Sequence, residues 1–444
     1  MTDRDRSRMA AYFEGLNRRI AETDSMEHSG TIARIVGMTV EANGPAVSIG
    51  DLCKIYQGRG RGHVLAEVEG FKESKVLLMP LGPVTGLSPG DRIVSTGLSL
   101  QVGACEAMQG RILGPLGTPI DDGPELMPEE YYPLDNDPPG PLQRTRIRDV
   151  LPMGVRAIDG LLTIGIGQRM GIFAGSGVGK STLLGMIARN AKADINVIAL
   201  VGERGREVKD FLEKDLRDEG LKKSVLVVAT SDQPALLRLK SAMVATSIAE
   251  YFRDKGKKVL LLMDSLTRFA MAQREIGMAI GEPPVARGFT PSVYAMLPRL
   301  LERSGTSDKG SITAIYTVLV EGDDMNEPIS DTVRGIIDGH MVLTRKLANN
   351  NHYPPIDVLQ SISRLMREIC SKAHVEMADK IRNNMATYRD TQDLISIGAY
   401  KPGANPTVDL AVRLHQPIED FLIQPMDESD GMEVTLEKMH KLLG

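Results

Sequence analysis

A glycine-rich segment with one lysine and two adjacent hydroxyl residues carries the clearest chemical signature in this chain of 444 residues. It occupies residues 174–182 and reads Ala-Gly-Ser-Gly-Val-Gly-Lys-Ser-Thr, between an apolar strand-like stretch and a helix-like stretch. Glycines let successive backbone N–H groups turn inward, where they hold a β-phosphate at the start of a helix. The segment therefore predicts a site for a nucleoside triphosphate.

Each position of this segment has a predicted part in binding. Lys180 supplies the positive charge for the β- and γ-phosphates, and the hydroxyl of Ser181 is placed to ligate Mg²⁺. Ala174 stands where the strict motif has glycine, so the match rests on the flanking strand and helix; a glycine-rich turn without a ligand is the alternative. The remaining nucleotide-binding candidates are Gly175, Ser176, Gly177, Val178, Gly179 and Thr182.

Two acidic residues at the ends of apolar stretches are the candidates for the metal and for the attacking water. Asp264 follows a strand-like stretch and is predicted to hold Mg²⁺ through water, with a loop-capping aspartate as the alternative. Glu203 is predicted to orient and polarise the water, because in-line attack needs a carboxylate on the far side of the γ-phosphate from the leaving group. Arg204 is placed to steady the γ-phosphate. A solvated charged loop is the alternative for this segment.

The elements that must position these residues change in character along the chain. Short strand-like stretches between Gly and Pro turns over residues 25–97 predict a small β-barrel or sandwich, and residues 98–149 predict an irregular connector. Apolar strands alternate with helices over residues 150–348, which is typical of a parallel sheet buried on both faces. Residues 349–444 predict a C-terminal helical domain, with helices over residues 361–382 and 408–424. The fold class is multidomain α/β.

Residues 1–24 predict an amphipathic N-terminal arm. Met9, Phe13, Leu16 and Ile20 recur at helical spacing, among several arginines. Two interpretations are equally open. One is a helix packed on its own domain, and the other is an arm that docks on a partner or an anionic membrane surface.

Composition excludes several classes of protein. The formal charge of −5 and the lack of a basic, aromatic-bearing stretch argue against a nucleic-acid partner. The three cysteines are scattered, which is typical of reduced thiols in a cytosolic protein and not of a disulfide framework or zinc site. The chain has no apolar stretch long enough to span a bilayer, so membrane insertion and secretion are not expected.

Several further motifs carry a specific resemblance. The chain resembles the rotary and secretion ATPase superfamily, which includes the catalytic subunit of F-type ATP synthase, and within it the type III secretion ATPases. The resemblance covers roughly residues 28–430. The segments that carry it are residues 174–182, 202–207, 248–254, 260–269, 283–305, 316–328 and 354–364.

This resemblance implies an architecture and further site residues. It implies an N-terminal β-barrel, a central RecA-like domain with the phosphate loop, a C-terminal helical domain, and a homohexamer with nucleotide between subunits. Arg364 is then the arginine finger that reaches the γ-phosphate from the neighbouring subunit. Tyr353 falls where relatives stack an aromatic ring on adenine, with a buried aromatic in the turn before Pro354 as the alternative. Phe421 falls in the segment that forms the other wall of that pocket.

The resemblance also implies a function. We expect an ATPase, with Mg²⁺, that powers type III protein export, in the flagellar apparatus in preference to the virulence injectisome. The implied partners are a stator-like regulator at the N-terminal arm, a central-stalk-like protein in the ring pore, a membrane export gate, export chaperones and their substrates. The expected location is cytoplasmic, peripheral at the inner membrane face.

Two other functions share the central fold. A hexameric nucleic-acid translocase would need a basic barrel face with stacking aromatics, and Tyr56 and Phe71 do not form such a platform. A non-hydrolysing subunit of a rotary ring would not need both Lys180 and Glu203.

Overall fold

The computed structural model describes residues 28–58, 62–320, 322 and 324–444. The described residues form two compact units, one that ends at residue 100 and one that begins at residue 101. The predicted arm of residues 1–24 lies outside the described residues. No helix in the described part of the chain is long and apolar enough to cross a membrane.

The first unit contains the predicted β-barrel, which the structure confirms. Its strands close in the order β1-β2-β5-β4-β3-β6, each antiparallel to its neighbours. Apolar residues such as Val40, Ile55 and Leu78 are fully buried inside it, because alternate residues of a strand point to opposite faces. The strands are β1 (Ser29–Val36), β2 (Thr39–Asn43), β3 (Asp51–Tyr56), β4 (His63–Lys72), β5 (Lys75–Pro80) and β6 (Arg92–Ser99).

The predicted connector is irregular for most of its length but contributes three short strands. They are β7 (Gln101–Ala104), β8 (Ile112–Leu113) and β9 (Glu130–Pro133). β7 pairs with β9, and β8 joins the edge of the central sheet. Arg111 forms an ion pair with Asp121 at 2.6 Å, and the same carboxylate accepts the N–H of Ile112, which orders the turn after β8.

The second unit is built on a nine-stranded sheet. Its order is β17-β16-β10-β15-β13-β11-β12-β8, with β14 paired to β15. β14 and β17 are antiparallel to their neighbours and the other pairs are parallel. The remaining strands are β10 (Arg169–Ala174), β11 (Ile195–Glu203), β12 (Ser224–Thr230), β13 (Lys258–Asp264), β14 (Gly305–Thr306), β15 (Ser311–Leu319), β16 (Gly339–Leu343) and β17 (Ile356–Ser363).

Helices cover the sheet and follow it in the chain. Those up to residue 302 are α1 (Arg156–Leu161), α2 (Lys180–Asn190), α3 (Gly205–Asp210), α4 (Arg217–Leu221), α5 (Ala235–Asp254), α6 (Leu266–Ile280) and α7 (Pro291–Glu302). A π-helical segment (Phe211–Leu216) joins α3 to α4. The later helices are α8 (Pro328–Ile336), α9 (Arg345–Asn349), α10 (Met366–Ile369), α11 (Lys372–Ser396), α12 (Pro406–Leu422) and α13 (Met432–Leu443).

β17 corrects the predicted start of the C-terminal helices. The prediction began a helix at residue 361 and a helical domain at residue 349, whereas β17 extends the central sheet to Ser363. Ile356 and Val358 are buried while Asp357 and Leu359 are more accessible, so the period is two and not 3.6. The helical domain itself is confirmed, with α11, α12 and α13 packed together and against α1.

One continuous core joins these last helices to the central sheet. Ile381, Ile418 and Met439 lie in the same buried apolar cluster as Ile158 and Ile172. The C-terminal helices are therefore anchored to the sheet that carries the phosphate loop.

Candidate nucleotide-binding and catalytic site

The phosphate loop connects β10 to α2, as predicted. β10 ends at Ala174, and Gly179 caps the N-terminus of α2, whose first residue is Lys180. Gly177 has φ of 76° and Gly179 has φ of 95°, which is the left-handed region that favours glycine. Gly175 does not adopt a positive φ, so only Gly177 and Gly179 use the conformational freedom of glycine here.

A cavity of about 680 Å³ lies over this loop. That volume lies in the range of small-ligand sites. Val178 does not line it, since this residue is buried in the core. The predicted residues that line the cavity are Gly175, Ser176, Gly177, Gly179, Lys180, Ser181, Thr182, Glu203 and Arg204.

Three charged groups converge behind the loop. The Lys180 ammonium forms an ion pair with Asp264, and its Nζ lies 3.6 Å from Oε1 of Glu203. Thr317 donates a hydrogen bond of 2.7 Å to Oδ1 of Asp264. They meet because Glu203 ends β11, Asp264 ends β13 and Lys180 follows β10, and the carboxyl ends of parallel strands share one sheet edge.

The cluster shifts the pKa values of Glu203 and Lys180. Burial and the negative charge of Asp264 raise the pKa of Glu203 to about 7, although the nearby Lys180 ammonium opposes this. Burial disfavours the charged form of Lys180, but the two carboxylates outweigh that effect and raise its pKa above the usual value. Lys180 is therefore charged at neutral pH, and Glu203 titrates near neutral pH.

The predicted metal ligands fit Mg²⁺. Ser181 and Asp264 line a second, small cavity of about 20 Å³, together with Glu203. Hydroxyl and carboxylate oxygens are ligands that Mg²⁺ prefers, and it commonly takes only one or two protein ligands beside phosphates and waters. Oε1 of Glu203 is buried without a hydrogen-bond partner among the described residues, which suits an oxygen that would hold a water.

Arg204 lies at the mouth of the larger cavity. It precedes α3, its side chain is 74 % exposed, and its Nη1 is 3.0 Å from Oε1 of Glu207. The structure thus gives it access to the cavity, while pairing it with a neighbour in its own chain.

Sequence reasoning missed two arginines that line the same cavity. Arg268 lies in the first turn of α6, shortly after β13, and its Nε is buried without a hydrogen-bond partner among the described residues. Arg345 begins α9 after β16, and its Nη2 is 3.4 Å from the carbonyl oxygen of Ser176. Both follow strands that end at the edge of the phosphate loop, which is the signal that would have found them.

A third cavity, of about 260 Å³, adjoins the loop on the other side. We call it the base-end cavity, because Tyr353, which was predicted to stack on adenine, lines it. Tyr353, 45 % exposed, forms one wall with Pro354 and Pro355, and a segment of residues 423–426 forms the other. Gly179, Thr182, Leu183 and Met186 complete the lining.

The structure corrects the prediction for Phe421. Its side chain is buried in the core and does not line the base-end cavity. Leu414, Ile418 and Phe421 are spaced as one face of α12, and that face packs inward. The lining side chains come from the residues after the helix, among them Ile423, Pro425 and Met426.

Arg364 lies at the opposite edge of the sheet from the phosphate loop. Ile356 pairs with Leu343, which pairs with Ala174, so β17 begins at the loop edge. Ser363 pairs with Gly339 at the other end, and Arg364 follows it with an exposed side chain. The eight residues of β17 span about 26 Å, so Arg364 does not reach the phosphate loop of its own chain.

Family models match three consecutive parts of the chain. The ATP synthase alpha/beta family matches with its beta-barrel domain over residues 32–97 and its nucleotide-binding domain over residues 154–363. The T3SS EscN ATPase C-terminal domain matches residues 370–441. The flagellum-specific ATP synthase of Bacillus subtilis is 54 % identical over 96 % of this chain and 97 % of its own. The chain belongs to the type III secretion ATPase family.

Other members of the type III secretion ATPase family agree with this assignment. The flagellum-specific ATP synthase of Pseudomonas aeruginosa is 46 % identical over 99 % of this chain and 98 % of its own. The type 3 secretion system ATPase of Xanthomonas euvesicatoria is 48 % identical over 95 % and 96 %. The expected enzyme class is thereby confirmed: this family member is an ATPase that binds nucleotide.

A solved structure of the family has the same fold. The assembled ATPase EscN of the enteropathogenic E. coli type III secretion system superposes with a TM-score of 0.89 at 47 % identity, over 94 % of this chain and 100 % of that one. EscN in complex with its central stalk EscO superposes with a TM-score of 0.87 at 46 % identity, over 94 % and 100 %.

Proposed function

We propose that this chain is the ATPase of a flagellar protein-export apparatus. It hydrolyses ATP to ADP and phosphate at the subunit seams of a homohexamer, and so promotes chaperone release, unfolding and export of substrates. The main support for a site between two subunits is that Arg364 lies far from the phosphate loop of its own chain. Lys180, Glu203 and Asp264 lie together at that loop.

The proposed chemistry begins with an exchange of partners. Lys180 leaves Asp264 and contacts the β- and γ-phosphates, while the loop N–H groups hold the β-phosphate. Ser181 and Asp264 would hold Mg²⁺, which when bound screens the phosphate charge. Glu203 orients the attacking water on the far side of the γ-phosphate and accepts its proton.

Arginines complete the neutralisation of the γ-phosphate. Arg204, Arg268 and Arg345 line the cavity from the same chain. Arg364 approaches from the neighbouring subunit, where a guanidinium added in trans is worth about a thousandfold or more in rate. Hydrolysis is then coupled to assembly, because a single subunit does not bring its own Arg364 to its phosphate loop.

The base-end cavity is the proposed site of adenine. Its apolar lining suits the faces of a base, and the exposed ring of Tyr353 offers a stacking surface on one side. Met426 lines the other side, and its flexible thioether suits contact with an aromatic ring. Met426 thus takes the role that was predicted for Phe421.

The proposed partners follow from the relatives. EscN is described with a central stalk EscO, which supports a stalk-like protein in the pore of a ring formed by this chain. A stator-like regulator at the N-terminal arm, a membrane export gate, chaperones and substrates complete the proposal. The chain then works in the cytoplasm, peripherally at the inner membrane face.

The test of the seam is ATPase rate as a function of protein concentration. We expect specific activity to rise steeply with concentration, and both Glu203→Gln and Arg364→Ala to lose at least about a thousandfold in kcat. Mixing the two variants should restore activity, because mixed seams can combine an intact Glu203 with an intact Arg364. Arg367→Ala is the control, since this exposed arginine pairs with Asp379 of its own chain. Activity that is independent of concentration and survives loss of Arg364 overturns the seam.

A virulence injectisome is the second candidate, because relatives named type 3 secretion system ATPase reach 48 % identity. Expression in a strain that lacks its flagellar export ATPase separates the two. Restored motility supports the flagellar assignment. Restored effector secretion in an injectisome ATPase mutant, without motility, supports the alternative.

A further inference from the structure

Gln424 connects the two walls of the base-end cavity. Its backbone N–H donates a hydrogen bond of 2.8 Å to the carbonyl oxygen of Tyr353, so the two walls meet at this residue. This residue is 1 % exposed and belongs to the lining of the base-end cavity. Nε2 donates to the carbonyl oxygens of Gly154 and Glu428, each at 2.9 Å, and Oε1 accepts the N–H of Arg156 at 2.8 Å.

Arg156 holds the chain on both sides of Gln424. The guanidinium belongs to α1 and is almost fully buried. Its Nε donates to the carbonyl oxygen of Phe421 at 2.7 Å, and its Nη2 donates to that of Ile423. Its Nη1 is 2.6 Å from Oε1 of Glu428 and 3.0 Å from Oδ2 of Asp430. One side chain therefore gathers the end of α12 and the loop that follows it.

We infer that Arg156 and Gln424 are positioning residues for the base of ATP. Neither side chain lies against the phosphate loop, and Arg156 does not line the base-end cavity. They act by fixing the wall of residues 423–426 against the wall of Tyr353. Charge-assisted hydrogen bonds to carbonyl groups are strong and directional, so this arrangement preforms the cavity before the base arrives.

The inference rests on the proposal that adenine binds in the base-end cavity. Inorganic tripolyphosphate distinguishes effects on phosphate binding from effects on base binding, because it carries the phosphates of ATP without the base. A defect in the wall of residues 423–426 weakens the binding of ATP and leaves the binding of tripolyphosphate unchanged. A general loss of folding or a distorted phosphate loop weakens the binding of both ligands.

The experiment measures kcat and KM for ATP, and the inhibition constant of tripolyphosphate with Mg²⁺, for Arg156→Lys and Gln424→Glu. Both substitutions keep the size of the side chain and remove specific hydrogen bonds. We expect KM to rise about tenfold, kcat to change less than about twofold, and the inhibition constant to stay unchanged. Arg382→Lys is the matched control, because Arg382 donates to the carbonyl oxygen of Leu161 at 2.7 Å and does not line the base-end cavity.

The outcomes are distinct. Tyr353→Ala tests the cavity itself, and it should raise KM for ATP without changing tripolyphosphate inhibition. If it does not, the base lies elsewhere and the proposed placement of adenine fails. If Tyr353→Ala behaves as expected but Arg156→Lys and Gln424→Glu match Arg382→Lys in all three constants, the positioning role fails alone. Thermal melting of each variant identifies any that does not fold, and the remaining variant then decides.

Discussion

The carboxyl group of Glu203 lies in surroundings that oppose its ionisation. It is 9 % exposed, and burial is the main reason that its pKa is raised to about 7. The charge of Asp264 raises the pKa further, whereas Lys180 lowers it. Glu207 also raises it, through a hydrogen bond and its own charge. A carboxyl with a pKa near neutral pH suits a general base, because such a base accepts a proton readily and is still substantially ionised.

A pH profile tests this property of Glu203. A general base must be ionised, so kcat/KM for ATP should fall about tenfold for each pH unit below about 7. In Glu207→Gln the acidic limb should move to lower pH, because a contribution that raises the pKa of Glu203 is removed. Glu213→Gln is the control, since Glu213 is exposed and lies outside the cavity. Identical limbs in all three proteins would contradict the assignment of Glu203 as the titrating base.

At the scale of elements, the helix after the phosphate loop is held by close backbone packing. A Cβ added at Gly185 of α2 would lie 2.6 Å from the carbonyl oxygen of Asp215, in the π-helical segment. That distance is far inside van der Waals contact, and the neighbour is backbone, which cannot turn aside. The π-helical segment thus approaches α2 only because residue 185 has no side chain.

We therefore expect Gly185→Ala to destabilise the protein by about 1–3 kcal/mol, the usual cost of overpacking. Gly335→Ala is the matched control in α8, because an added Cβ meets nothing within 4 Å there. The control should be neutral or stabilising, since alanine favours helix. The midpoint of urea denaturation measures both. Equal shifts for the two variants would show that close packing at Gly185 is not what holds α2.

At the scale of the whole molecule, the charges that we propose for hydrolysis lie at two edges of one sheet. The phosphate loop lies at one edge and Arg364 at the other. A second copy that presents its Arg364 to the first copy's loop completes the site and leaves its own loop for a third. Such a head-to-tail contact closes into a ring when the rotation between copies is suitable.

Nucleotide should therefore promote assembly. Sedimentation velocity with a non-hydrolysable ATP analogue and Mg²⁺ should show larger species for the wild-type protein than without nucleotide. Arg364→Ala should reduce this response, because the favourable contact with the γ-phosphate is lost, whereas Arg367→Ala should retain it. A distribution that does not change with nucleotide would contradict a shared seam.

Much of the candidate site was determined by local sequence. The phosphate loop follows from glycines that permit φ values of 76° and 95° beside a lysine and a serine, and those properties belong to neighbouring residues. The apolar stretches before Glu203 and Asp264 identify buried strands by composition alone, and their carboxyl ends meet at one edge in any parallel sheet. The barrel, the central sheet and the C-terminal helices were predictable for the same reason.

Only the tertiary structure decided which side chains face the ligand. Phe421 turned inward because α12 packs that face against the core, and Met426 took its place at the cavity. β17 joined the sheet because β16 offered an edge, which no local signal reveals. The pKa of Glu203 and the hydrogen bonds of Arg156 to residues more than 260 positions away depend on burial and on long-range contacts. Periodicity is a property of neighbours in sequence, whereas orientation, ionisation and positioning are properties of neighbours in space.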